Sequence, residues 1–144
     1  MLEMIARYSS CWDERQTDAF AELFTEDAVF QTDPEVPNGP IIHNAGREAI
    51  REWARGRHAS HDPSKNQARH IQTGTVFDEL TPERARTRTT LLVMRFGPEP
   101  GDSGTGVYYD EWVKTPEGWR FAARTLRHDF PQLRQILRSE VREV

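Results

Sequence analysis

Apolar residues recur at helical spacing from the start of the chain. With residues 2–13 wound at about 100° per residue, Leu2, Ile5, Ala6, Tyr8, Ser9 and Trp12 fall on one face, and Asp13 falls among them. Residues 18–24 predict a second short helix, with Phe20, Leu23 and Phe24 on one side and Thr17 placed to cap it. Thr25-Glu26-Asp27 breaks that period, and residues 28–31 read as a short strand. The turn formers Asp33-Pro34, Pro37-Asn38-Gly39-Pro40 and His43-Asn44 then predict a loop. Gly46 opens a third helix that runs to about residue 57 and turns Ile50, Trp53 and Ala54 inward.

The second half changes to strand patterning. Residues 69–77 and 85–96 read as strands separated by Thr81-Pro82-Glu83, the second of them rich in Thr, Leu and Val. A Gly/Pro-rich loop is expected over 97–104. Residues 106–114 and 119–127 read as two strands joined by Thr115-Pro116-Glu117-Gly118, a hairpin signature. Pro131 starts a terminal helix whose apolar stripe is Leu133, Ile136, Leu137 and Val141. Helices first and an antiparallel meander afterwards predict an α+β fold in one domain spanning 1–144: a curved, mostly antiparallel sheet wrapped around a helix as a cone with an internal pocket. Strand alternation puts Tyr108, Asp110 and Trp112 on one face and Val107, Tyr109, Glu111 and Val113 on the other; both faces carry an acid.

Asp13 is the residue that changes this picture from a scaffold to a site. A carboxylate on an apolar helix face either points into a cavity or needs a partner, because burying it alone is costly. A buried histidine partner would make a proton-transfer device; the alternative is that Asp13 ends its helix and caps the next. Net charge −4 and pI 5.7 leave no electrostatic footprint for nucleic acid. The lone Cys11 rules out an intrachain disulfide, and its neighbourhood suits a packed thiol in a reducing, cytoplasmic setting. Neither a membrane-spanning stretch nor a secretory leader is legible. His58, His61 and Asp62 lie close together and His43 sits in a loop, but their spacing is not that of a metal site, and no metal is expected. Arg124 and Arg127 read as partners of surface acids or as holders of an anionic substrate group, and His128-Asp129 as a structural corner or a pocket mouth.

The run from Tyr8 through Trp12-Asp13 to Leu23-Phe24-Thr25-Glu26-Asp27-Ala28-Val29-Phe30 resembles the opening of SnoaL-like proteins of the NTF2-like superfamily. Gly46-Arg-Glu-Ala-Ile-Arg-Glu-Trp, Arg69-His70-Ile71, Gly106-Val-Tyr-Tyr-Asp-Glu-Trp-Val and Glu117-Gly-Trp-Arg-Phe resemble its third helix and long strands. The likeness covers about residues 5–128 and implies the superfamily's cone. It does not fix the reaction, because the superfamily hosts dehydratases, isomerases, polyketide cyclases, dehydrochlorinases and binding domains.

The resemblance implies roles as well. Asp13 and His70 match the Asp–His dyad of scytalone dehydratase and a hexachlorocyclohexane dehydrochlorinase, while Trp12 stands where scytalone dehydratase carries a catalytic tyrosine. The alternative for His70 is a strand histidine satisfied by any neighbouring acceptor. A second constellation resembles ketosteroid isomerase: Asp33 as general base, with Tyr8 and Asp110 as hydrogen-bond donors. The expectation is therefore a lyase or isomerase that needs no cofactor and acts on a small, apolar, cyclic molecule. His70 and Asp13 are its catalytic pair. Tyr8, Trp12, Asp33, Trp53, Tyr108, Asp110 and Trp112 are the expected substrate contacts. A homodimer is implied, with no nucleic-acid or membrane partner. The other readings are a non-catalytic ligand-binding domain and an accessory subunit such as the small subunits of ring-hydroxylating oxygenases.

Overall fold

Alternation across the pleat sets the layers. Along one long strand Ala85, Thr87, Thr89 and Leu91 are buried, while Arg84, Arg86, Arg88 and Thr90 between them are exposed. A sheet with one apolar and one polar face must cover the apolar one, and the N-terminal helix does so. The structure, a computed structural model, describes residues 1–36, 41–99 and 103–129. Its helices are α1 (Leu2–Asp13), α2 (Thr17–Ala21) and α3 (Arg47–Ala59). Its strands are β1 (Phe24–Thr32), β2 (His43–Ala45), β3 (Gln67–Leu80), β4 (Arg84–Phe96), β5 (Gly104–Thr115) and β6 (Gly118–His128).

The strands form one sheet in the order β2-β1-β6-β5-β4-β3. Neighbours are antiparallel except β1 and β6, which run parallel. The β5–β6 hairpin turns at Pro116-Glu117, and Gly118 follows with φ 112°, a conformation that glycine adopts without steric cost. α1 lies on the inner face against β3, and α3 covers β1 and α2. Ile5, Tyr8 and Cys11 of α1 pack with Phe20, Phe24, Phe30, Ile50, Tyr108, Trp112 and Phe121 in one core. The Cys11 thiol is buried, and burial pushes its pKa up.

The α+β architecture and the four long-strand segments agree with the sequence pattern, and three local readings need correction. The second helix ends at Ala21, not residue 24, because Phe24 has already joined the sheet opposite Phe121. The acidic run 25–27 lies in a register shift within β1 between Phe24 and Val29, so β1 starts earlier than the apolar pattern indicates. His43–Ala45, read as loop, is a strand paired with Val29, Phe30 and Gln31. The helix predicted from Pro131, with its stripe Leu133, Ile136, Leu137 and Val141, lies outside the described residues.

A buried ion pair ties the layers together. Arg124 of β6 has a side chain fully removed from solvent, and its Nε lies 3.1 Å from Asp110 Oδ1 of β5, equally buried. The two are not aligned as a hydrogen bond, so their attraction is chiefly Coulombic. The guanidinium stands over the rings of Tyr108, Tyr8 and Phe121, 3.7, 4.0 and 4.5 Å from their centroids. It also donates to Gln72 Oε1, and the amide of Gln72 donates in turn to Ser9 Oγ at 2.8 Å and to the Ile5 carbonyl at 3.2 Å. Arg124 is therefore no partner of surface acids. Burial pushes the Asp110 carboxyl up to about 6, while Arg124 and then the Thr87 hydroxyl pull it back.

Removing one member of such a pair leaves the other charged and uncompensated in the core. Asp110→Ala is expected to lower stability by about 3–5 kcal/mol in urea unfolding at neutral pH. Asp78→Ala, which breaks an exposed pair with Arg88, is expected to change it little.

Candidate functional site

The chain reverses after α1 in a Schellman closure. The Gln16 N–H bonds the Cys11 carbonyl at 2.8 Å, and the Arg15 N–H bonds the Trp12 carbonyl at 3.0 Å. The closure demands a left-handed residue, normally glycine, and here Arg15 occupies it at φ 58°. A side chain in that conformation costs about 1–2 kcal/mol. The turn leaves Asp13, the last residue of α1, beside the start of β3. The Gln67 side-chain amide fixes this junction by donating to the Asp13 carbonyl at 3.0 Å.

Asp13 and His70 meet there. His70 Nδ1 lies 2.6 Å from Asp13 Oδ1, and the His70 backbone N–H donates to Oδ2 at 2.9 Å. Both carboxylate oxygens are therefore used on one residue, which fixes the ring in position and in plane. The side chains are 5% and 11% exposed, so solvent screens the pair little. With Nδ1 donating to the carboxylate, the neutral ring keeps Nε2 as an acceptor.

The pair borders a cavity of about 280 Å³ between α1, α3 and the inner face of the sheet. Trp12 forms one wall, stacked on Trp53 at 4.9 Å and edge-on to His70 at 6.3 Å. Phe30 backs Trp53 at 4.7 Å. Tyr8 and Tyr108 line the floor, their hydroxyls 3.4 Å apart with Tyr108 donating to Tyr8. Burial raises both phenols above their ordinary value, Tyr8 well above it, so both are neutral donors at physiological pH.

Of the residues expected at the site, Asp13, His70, Tyr8, Trp12, Trp53 and Tyr108 line the cavity. Three others do not. Trp112 shares the inner face but packs on Phe121, ring centroids 4.0 Å apart, and donates its indole N–H to Thr87 Oγ1 at 2.9 Å. Asp110 sits beneath the floor, on Arg124. Asp33 closes the turn after β1 by accepting the Glu35 N–H at 2.9 Å, and it lies 3.9 Å from Arg127 Nε. The isomerase-like trio of Asp33, Tyr8 and Asp110 is thus not assembled around one space. Of the histidines noted in the sequence, His58 and His61 come to the cavity, whereas His43 bonds Gln31 on β2's exposed side and Asp62 turns to Ser64.

The sequence reading did not place Arg15, Arg57, His58, His61 or Arg95 at the cavity, yet all of them line it together with His128. His58 Nδ1 shares a hydrogen bond with the Thr17 hydroxyl at 2.8 Å, and its buried Nε2 has no partner among the described residues. Thr17 therefore holds this histidine and does not cap α2, whose N-cap is Gln16.

Known proteins were compared with this geometry in view. The family model of the SnoaL-like domain matches residues 1–125. The small subunit of anthranilate 1,2-dioxygenase from Burkholderia cepacia is 23% identical over 143 residues, 94% of this chain and 88% of that protein. A Catenulispora acidiphila protein, solved in complex with S-DNPA, is 26% identical with a TM-score of 0.72, covering 92% of this chain and 93% of that one. An NTF2-like protein with a cystatin-like fold from Novosphingobium aromaticivorans is 22% identical with a TM-score of 0.73, covering 94% and 84%.

His58 has a consequence for pH. Burial, then the charges of Arg15 and His61, lower its pKa below the ordinary 6.5. As pH falls through about 6.5 the unfolded chain takes up a proton that the native ring refuses, so stability declines there. His58→Gln is expected to reduce that decline, read as a smaller difference between urea midpoints at about pH 7 and about pH 5.

Proposed function

Because this chain belongs to the SnoaL-like domain family and has the NTF2-like, cystatin-like architecture, we propose that its cavity performs acid–base chemistry on a small cyclic molecule, with His70 and Asp13 as the proton-transfer pair. The observation that carries this reading is the 2.6 Å contact between Asp13 and His70 Nδ1 at the wall of a cavity lined in part by aromatic rings. His70 Nε2 takes a proton from a carbon next to a carbonyl. Asp13 stabilises the imidazolium that forms and keeps the ring in the productive tautomer. Tyr8 accepts from Tyr108 and keeps its own proton for the oxygen on which charge develops.

In an elimination the C–H electron pair becomes the new double bond. The leaving oxygen departs as water with the proton returned from His70. In an isomerisation the same proton returns to another carbon. A bound ring system against the aromatic walls would displace water there, which strengthens each of these polar contacts. The position of Asp33 outside the cavity argues against it as the base.

A second reading is favoured by one comparison. The likeness to the dioxygenase small subunit spans 94% of this chain, which supports an accessory subunit as the alternative. Ile71 and Tyr109, 46% and 41% exposed on the outer face of the sheet, support a second copy of this chain as the occupant of that face.

The test uses cyclic β-hydroxyketones and β,γ-unsaturated cyclic ketones in D2O. Elimination and deuterium incorporation are followed by mass spectrometry and NMR. Wild-type protein is expected to accelerate one of the two reactions, and His70→Ala and Asp13→Asn each to lower it by about 10²–10⁴-fold with an unchanged circular dichroism spectrum. Equal rates in wild type and both folded variants overturn the dyad. Purification in complex with an iron–sulfur oxygenase subunit, with no turnover, decides for the accessory reading.

A further inference from the structure

We infer that the cavity takes a substrate bearing a carboxylate or similarly charged oxyanion, and that Arg15 is the residue that selects it. The inference deepens the reading of the cavity as a small-molecule site and rests on it. Its first support is the charge balance of the lining. Asp13 is the sole carboxylate among the described lining residues, and His70 already uses both of its oxygens. Also in the lining are Arg15, Arg57, His58 and His61. Neither Arg15 nor Arg57 has a carboxylate partner among the described residues, whereas most other arginines of this chain do, as in Arg69–Glu14 and Arg88–Asp78. An anion matches their fork of donors better than a neutral apolar group does.

The second support is independent of charge. The left-handed position in the closure after α1 suits glycine, yet it carries Arg15 at φ 58°. Strain of this kind persists where the side chain has a use. The strained backbone aims that guanidinium at the cavity rim, one turn of chain beyond Asp13. The oxyanion would sit at the arginine side and the reacting carbon would face His70, so the charged group fixes which end of the ring system meets the base.

The experiment uses 2-naphthoate and its neutral isostere 2-naphthamide as probes, with binding read from quenching of the stacked Trp12–Trp53 pair and checked by calorimetry. Wild-type protein is expected to prefer the naphthoate by about tenfold or more, as a charged hydrogen bond in a partly dry site allows. In Arg15→Gly that preference should fall at least about fivefold. The same variant should melt about 2–4 °C higher, since glycine relieves the left-handed strain. A gain in stability with a loss of anion selection separates recognition from a structural role. Equal affinity for the two probes in wild type, no binding of either at millimolar concentration, or an unchanged preference in Arg15→Gly overturns the inference. His70→Ala is expected to keep the preference for the naphthoate, so a failure of the dyad and a failure of anion selection are read separately.

Discussion

A guanidinium has to be surrounded on all sides before a protein can bury it, and Arg124 shows how much structure that requires. Its guanidinium stands over tyrosine rings from α1 and β5, its Nε faces Asp110, and its terminal nitrogen reaches Gln72 on β3. Four elements thus meet on one side chain. The arrangement positions the cavity floor as well as the core, because the two tyrosines it supports are the ones whose hydroxyls face upward. The desolvation penalty is offset only while every member is present. That coupling makes the floor rigid.

The opposite end of α1 holds the Asp13–His70 pair. One helix delivers Tyr8 to the floor and Trp12 and Asp13 to the wall, since positions four and five residues apart lie on neighbouring parts of the same face. The Asp13 carboxylate then spends both oxygens on His70. The resulting geometry is one of preorganisation: Asp13 holds both the ring Nδ1 and the backbone N–H of His70, whose ring lies edge-on to Trp12 at the cavity. The basic part of the lining is built differently, from a helix end and a turn.

How much of this could be read beforehand depended on whether a residue obeyed a period. Asp13 was visible because it interrupted an apolar helix face, and His70 because the segment around it resembles SnoaL-like strands. The long strands were visible through alternation. His43–Ala45 was not, because three residues carry no periodicity and their pairing with β1 is set by tertiary contact. Phe24 was assigned to a helix because its apolar side chain fits either element, and only its partner Phe121 decides. Arg124 was misread because arginine is so often exposed; its burial depends on three rings and an acid that come together only in the fold. Arg15 gave no signal, and His58 and His61 were noticed only for their closeness in sequence, since a turn and a helix end have no repeat to violate. Trp112 fell on the right face but too far toward the β5–β6 turn, and strand parity says nothing about depth along a strand.

The single parallel pairing in the sheet carries a further consequence. β3 to β6 follow one another as hairpins, so each finds its neighbour across a short stretch of chain. β1 pairs with β6, matching Phe24 to Phe121 and Phe30 to Arg124, across almost the whole described sequence. Closing so long a loop costs entropy that no local contact repays. The β3–β6 meander pairs between sequence neighbours and α1 already has β3 to pack against, whereas β1 joins these strands only through β6. A chain halted before β6 would therefore carry Asp13 and His70 on elements that can already meet, while the wall at Phe30 would lack the strand that holds it.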